Sequence, residues 1–350
     1  MDTNFVARTV IPSVEQVGTT GITPVLDGDD AATRHLPVLA QRCVDLLAPA
    51  LQAPGSVLVD GTLGMGGHTE LALSKLPNVT VIGIDRDTQA LELAGARLAR
   101  FGERFIPVHA NYAEIAEVVN GLGYPQVNGI LLDLGVSSLQ LDELERGFSY
   151  IRNAPLDMRM DQTAQLTAAA ILNNYDETDL RRILFDYGEE RFSPRIAKNI
   201  VARRVTKPWE TTGELVELIQ NSIPKKAQIT GGHPAKRTFQ ALRVEVNREL
   251  TGLSEAIPAA LSVLAVGGRI VVESYQSLED RIVKQAFASG LTSTAPPGLP
   301  VTLPEHEPYL QAITRGAEKA DAAELELNSR AASVRLRGVM RIRDVAEVRR

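Results

Sequence analysis

The chain has 350 residues, 44% of them hydrophobic and 23% charged, with 27 glycines and 19 prolines. That balance excludes collagen-like, coiled-coil and wholly disordered chains, and leaves a globular protein of about two domains with room for a sizeable core. The net charge of −6 argues at first sight against a nucleic-acid partner, because phosphate binding is dominated by Lys and Arg.

The first 34 residues, with Gly18, Gly21, Pro24 and the run Asp27 to Asp30, lack sustained periodicity and read as a flexible extension. The one cysteine, Cys43, permits no internal disulfide and no multi-cysteine zinc site, and reads as a small core residue. No stretch of about 18 apolar residues occurs, and Met1 to Val10 has no apolar leader core. A cytoplasmic protein without membrane association is the expectation.

From Val57 the chain alternates between strands and helices. An apolar strand over Val57–Asp60, a glycine turn, a helix over Thr69–Leu76 and a strand over Val79–Asp85 form a βαβ unit. A helix carrying Leu91, Ala94 and Leu98 follows, then a strand over Phe105–Val108, a helix over Ala113–Val119 and a strand over Gly129–Asp133. The alternation predicts an α/β fold, a Rossmann-like parallel sheet with helices on both faces. Between Ser137 and about Lys236 helical patterns dominate, at Ala168–Leu172, Thr178–Phe185 and Ile196–Val205. Helices over Thr238–Leu250 and Ala256–Leu264, a turn at Gly267-Gly268 and a strand over Arg269–Glu273 resume the sheet. Ser333–Ile342 alternates as a half-exposed edge strand should. The predicted division is an extension over 1–34, a discontinuous sheet domain over 35–138 and 237–345, and an inserted, mainly helical subdomain over 139–236.

The segment Asp60-Gly61-Thr62-Leu63-Gly64-Met65-Gly66-Gly67-His68 lies between a strand and a helix. Glycines there let the backbone approach a ligand and bring helix N-terminal N–H groups within its reach. Asp85, 21 residues after Gly64, ends the next strand, where a carboxylate can accept the hydroxyls of a ribose. Counted from Gly64, the dinucleotide pattern G-x-G-x-x-G fails because Thr69 stands at the third glycine position. The failure disfavours a nicotinamide dinucleotide and favours S-adenosylmethionine, which has no phosphate. Asp133 ends the third strand, so it points into the same crevice as Asp85 and is the candidate to touch the group being alkylated.

With those motifs in place, several blocks closely resemble the RsmH (also MraW) family. They are His35-Leu36-Pro37-Val38-Leu39, Asp60 to His68, Leu131 to Ser138 with Gln140-Leu141-Asp142, and Glu145-Arg146-Gly147-Phe148. Pro155 to Asp161, Tyr187 to Phe192, His233 to Gln240 and Ser277 to Lys284 extend the likeness from about His35 to Ile342. The resemblance implies a class I S-adenosylmethionine-dependent methyltransferase sheet that methylates N4 of a cytidine in the decoding region of 16S ribosomal RNA, in the small ribosomal subunit. It implies that Gly66, Gly67 and His68 bind the cofactor, that Asp85 holds its ribose, that Tyr112 flanks the adenine, and that Asp133 and Gln140 complete the pocket. It also implies that the helical insert helps hold RNA. The family often has Phe-His before Ser-Leu-Glu-Asp, whereas this chain has Tyr275-Gln276, which removes a histidine from that place. Homodimerisation stays open.

Methyl transfer to an exocyclic amine is an in-line displacement, so placement of the nucleophile carries most of the rate. Asp133 is the expected catalytic acceptor of the amine proton, and no metal is required. A base splayed from structured RNA can stack on an aromatic ring; Phe148, Tyr150 and Tyr275 are the candidates. Residues 181–250 hold 14 Lys/Arg against 8 Asp/Glu and residues 330–350 hold 7 against 2, so the acidic total conceals two basic regions. Lys225, Lys226, Lys236 and Arg237, around Gly231-Gly232, suit a phosphate-contacting loop. His35 and His233 can contact substrate or serve as caps. Asp157 and Asp161 share a face if their segment is helical, and Glu189-Glu190 with Arg191 reads as an ion-pair network. Methylation of an exocyclic amine in DNA, a catalytically silent RNA-binding ribosome-assembly factor and a nicotinamide oxidoreductase stay open as alternatives. Leu134-Gly135-Val136 after Asp133 is not the Pro-Pro-aromatic run usual in the DNA enzymes.

Overall fold

The computed structural model describes residues 37–228, 232–296, 303 and 306–344. The expected extension over 1–34, and His35, lie outside the described residues. The chain divides into two compact units, one of residues 1–135 and 252–350, the other of 136–251.

The first unit contains α1 (Ala40–Leu47), β1 (Val57–Asp60), α2 (Gly67–Lys75), β2 (Thr80–Asp85), α3 (Thr88–Leu98), β3 (Phe105–His109), α4 (Ile115–Gly121) and β4 (Val127–Asp133). The second unit carries α5 (Ser138–Asp142), α6 (Ala168–Asn174), α7 (Glu177–Asp186), α8 (Ser193–Arg204), α9 (Thr212–Ser222), α10 (Lys225–Gln228) and α11 (Lys236–Asn247). The chain then returns through α12 (Glu249–Val263) to β5 (Leu264–Ser274), α13 (Ser277–Leu291), β6 (Leu310–Ala312), α14 (Ala322–Leu327) and β7 (Arg335–Arg341).

The strands form one seven-stranded sheet in the order β3-β2-β1-β4-β5-β7-β6. Neighbours from β3 to β5 are parallel, while β7 runs antiparallel to both β5 and β6. This is the Rossmann-like α/β architecture, and the strand order reverses between β1 and β4, where open sheets of this kind leave a crevice beyond the strand ends. Period-two alternation divides the apolar residues between two faces. Val57, Val59, Ile82, Ile130, Leu132, Ile270 and Val272 pack with Ile115, Ile257 and Val283 of the helices on one side. Leu58, Val81, Leu131 and Val271 pack with Leu47, Leu73, Leu91 and Leu98 on the other. Cys43 belongs to that second cluster and is fully buried.

The helical unit has its own core, built on Met158, Leu172, Ile183, Ile200, Trp209 and Leu242. Among the described residues its strand pairing is the isolated bridge Pro155↔Thr211. The second unit runs to Thr251, beyond the expected end at 236, because α11 sends Phe239, Ala241, Leu242 and Val246 into this core.

Three further expectations are corrected. The alternating strand at the C-terminal end, β7, is interior rather than an edge. It pairs with β5 on one side and with β6 on the other, and β6 is too short to show a period. The Gly267-Gly268 turn lies inside β5, where the register against β4 jumps between Val127↔Leu264 and Gly129↔Arg269 and Gly267 adopts φ 82°. Asp157 and Asp161 lie outside any helix, and the Asp157 carboxylate is taken by the Arg159 guanidinium at 2.6 Å. Glu190 accepts the Phe192 N–H at 2.8 Å, a hydrogen bond that shapes the turn before α8. Ile130, fully buried on the central strand β4, sets the sensitivity of this core. Ile130→Ala should cost about 2–5 kcal/mol, read as a lower urea midpoint with the slope of the transition unchanged.

Candidate functional site

Three of the parallel strands of the first unit end in acids: β1 in Asp60, β2 in Asp85 and β4 in Asp133. The glycine turn after β1 is stitched across these ends. Gly61 N–H donates to Leu131 O at 2.9 Å and Leu63 N–H to Ile84 O at 3.0 Å. Asp133 N–H donates to Thr62 Oγ1 at 2.6 Å. Gly66 must be glycine on two counts, since it holds φ 77° and a Cβ there would meet Leu98 Cδ1 at 2.9 Å. At Gly67 a Cβ would meet Pro37 at 3.1 Å.

Asp85 anchors the turn. Its Oδ2 accepts the Gly64 N–H at 2.7 Å and its Oδ1 the Asp87 N–H at 2.9 Å. Each oxygen keeps one lone pair for a further donor. Burial pushes the Asp85 carboxyl up to about 6, against the pull of those two N–H groups.

Asp133 sits in a group of mutually dependent charges. The register aligns it with Glu273 on β5, so two carboxylates stand side by side, and His68, in the first turn of α2, stands against both. His68 Nδ1 is 3.8 Å from Asp133 Oδ2, and its Nε2 is 3.3 Å from Glu273 Oε2. Nε2 also lies 3.0 Å from the Val38 carbonyl, while neither Glu273 oxygen has a directed hydrogen bond. The hold of Glu273 on the imidazole is therefore chiefly electrostatic. Burial opposes the charge on His68, but the carboxylates of Glu273, Asp133 and Asp60 overcome it and hold the ring up at about 10, as an imidazolium. Burial and the Glu273 charge raise Asp133 to about 7, while His68 and the Tyr275 hydroxyl restrain it. Tyr275 Oη donates to Asp133 Oδ1 at 2.8 Å. The Asp133 side chain keeps 26% of its surface accessible and Glu273 none, so an incoming molecule can reach the first and not the second.

Cys43 Sγ, His68 and Glu273 place one donor atom each within 4.8 Å of one another. Here the cluster places a thiol, whose ionisation burial suppresses, beside the His68 and Glu273 side chains.

The structure thus brings together Asp133, His68 and Tyr275, and ties Asp85 to the glycine turn. Tyr112 is buried, with the Arg86 guanidinium 5.7 Å from its ring centroid. Gln140 lies in the second unit, and its Oε1 accepts the Ser137 N–H at 3.1 Å in a capping box that starts α5. Phe148 is buried in the helical core, so it is a packing residue rather than a stacking platform. Lys225 and Lys226 stand exposed on α10, and Lys236 and Arg237 exposed at the start of α11, so these cations sit on helical turns rather than in one loop. Sequence reading passed over Glu273. The available signal was a lone acid ending the apolar run Ile270-Val271-Val272, the same signature that marked Asp85 and Asp133.

The sequence profile of the MraW methylase family matches residues 32–342. Three curated relatives carry the name ribosomal RNA small subunit methyltransferase H. That of Beutenbergia cavernae is 62% identical over 313 residues, covering 89% of this chain and 94% of the relative. That of Kocuria rhizophila is 58% identical over 314 residues, covering 90% and 96%. That of Streptomyces avermitilis is 56% identical over 315 residues, covering 90% and 99%.

Glu273→Gln removes the charge facing His68 Nε2, so the imidazole should titrate below its present value of about 10, toward the ordinary value near about 6.5. Ring NMR shifts followed against pH measure this. A His68 that titrates as in the parent chain would show that Glu273 does not hold its charge.

Proposed function

Because the chain belongs to the MraW methylase family, we propose that it methylates N4 of a cytidine in the decoding region of 16S ribosomal RNA, using S-adenosylmethionine. The name shared by its relatives supports ribosomal RNA of the small subunit as the substrate. The observation that carries the chemistry is the Asp133 carboxylate, accessible at the end of β4, oriented by Tyr275 and flanked by His68.

The donor set suits this cofactor. Asp85 offers a free lone pair on each oxygen to a ribose diol, and Gly64, Gly66 and Gly67 present no side chain to the approaching group. Around His68 the carboxylates Asp60, Asp133 and Glu273 outnumber the cation, and that surplus of negative charge favours a positively charged ligand. When bound, S-adenosylmethionine supplies a methyl group on a sulfonium.

The exocyclic amine of cytosine is a weak nucleophile because its lone pair is delocalised into the ring. Asp133, accepting an N–H of that amine, localises the pair as the N–C bond forms and the C–S bond breaks. The Asp133 carboxylate would then take the amine proton and pass it to water. Tyr275 holds one carboxylate oxygen in place, and the Asp133 backbone is pinned through Thr62, so positioning costs little at the moment of reaction. The same reading makes residues 136–251 the RNA-recognition unit. Its support is the excess of 14 Lys/Arg over 8 Asp/Glu in residues 181–250.

Small ribosomal subunits lacking the modification, incubated with the protein and labelled S-adenosylmethionine, should gain one N4-methylcytidine by mass spectrometry. Transfer to naked DNA instead, or to no small-subunit cytidine, would overturn the reading. Asp133→Asn should lower kcat by about 10²–10⁴-fold. In the parent chain kcat/KM should rise with pH through about 7 as Asp133 ionises. Tyr275→Phe removes a hydrogen bond that favours the carboxylate, so its midpoint should move upward. An unmoved midpoint would separate Tyr275 from the ionisation of Asp133.

A further inference from the structure

Away from Asp133, the helical unit carries an aromatic and cationic group that the methyl-transfer chemistry leaves unused. Tyr150 and His233 stack with ring centroids 4.6 Å apart and planes 21° from parallel. Tyr150 is braced edge-on by Phe239, at 5.7 Å and 81°, and Phe239 belongs to the core of the unit. The stacked pair is thus a rigid attachment, while both of its rings stay only half-buried. No other ring packs on His233 among the described residues. Its Nδ1 accepts the Ala235 N–H at 3.2 Å, which fixes the ring orientation and leaves Nε2–H as its remaining donor.

Three residues after His233 begins α11, a helix of 12 residues. Ala235 offers no capping side chain, and the first turn holds no acid. Lys236 and Arg237 occupy the first two positions, both exposed. Arg237 Nη1 donates to the Glu189 carbonyl at 3.3 Å, and neither cation meets a carboxylate within ion-pair distance among the described residues. Thr238, in the same turn, is fully buried with its Oγ1 unpartnered. Cations at the positive end of a helix work against its dipole, and stability alone would favour a cap and an acid here. Together with the helix N–H groups they suit an anion. A half-open ring followed in the chain by two exposed cations is a pairing that suits single-stranded nucleic acid, with a base on the ring face and a phosphate on the charges.

We propose that His233, stacked on Tyr150, forms with Lys236 and Arg237 a nucleotide-binding subsite for single-stranded RNA. The subsite rests on the ribosomal RNA reading above, and names where in the helical unit the strand is held.

The full chain and its variants, titrated into a labelled single-stranded RNA oligonucleotide and followed by fluorescence anisotropy, test it. His233→Ala should weaken binding about 10-fold, the order expected for loss of one base–ring stack. His233→Phe keeps a stacking face and should bind within about twofold of the parent. Lys236→Ala should reduce the slope of log affinity against log salt by about 0.7, the value for one phosphate contact on a single strand. Parent-like binding by His233→Ala, an equal loss in His233→Phe, or an unchanged salt slope in Lys236→Ala would each overturn the subsite. A parent chain that binds no RNA overturns the subsite and the RNA reading together. Losses in these variants, in a parent that methylates no small-subunit cytidine, would leave the subsite standing and remove the methylation reading.

Discussion

Two carboxylates at the ends of adjacent parallel strands cannot both stay ionised in a buried place unless a cation lies between them. The pairing of β4 with β5 creates that problem by setting Asp133 level with Glu273, and His68 answers it from the first turn of α2. The rest of the site is arranged around keeping His68 there. The turn before α2 is hydrogen-bonded to β4 and to β2, and the Val38 carbonyl meets the imidazole at 3.0 Å. Charge and backbone geometry thereby secure one another, since the turn places the cation and the cation lets both acids persist.

The arrangement also separates two tasks that carboxylates perform at strand ends. Glu273, without accessible surface, sets the charge state of its surroundings. Asp133, a quarter accessible and held by Tyr275, stays open to an incoming molecule. Asp85 does a third job, binding two backbone N–H groups and so holding the turn against β2. Three acids in similar sequence settings acquire different chemistry from what each one faces. The Tyr275-Gln276 pair belongs to the same logic. A hydroxyl directed at Asp133 orients the carboxylate without adding another titrating group near neutral pH.

Much of this was legible in the chain. Alternation of apolar residues announced the parallel strands, because every second residue faces the same layer. The glycine turn, Asp85 and Asp133 could be placed together beyond the strand ends, because parallel strands bring their carboxyl ends to one edge of the sheet. The same signal at Glu273 went unread, since nothing local says that β5 lies beside β4. Phe148 looked like a platform and is core. The cause is plain: a side chain's role depends on which surface covers it, and a motif does not record that. The net charge misled in a similar way, because −6 averages an acidic body with basic segments.

The amino-acid sequence by itself determined the class of sheet, the glycine turn after β1, and the acids that close β2 and β4, since each follows from near-neighbour spacing. Tertiary structure alone decided which acids share a cation, that β7 is interior while β6 forms the edge, and that α11 belongs with the helical core. It also put Tyr150 against His233, 83 residues apart in the chain. These outcomes rest on strand register and on packing between distant segments, which are set by the whole set of buried contacts and leave no mark in any one stretch of residues.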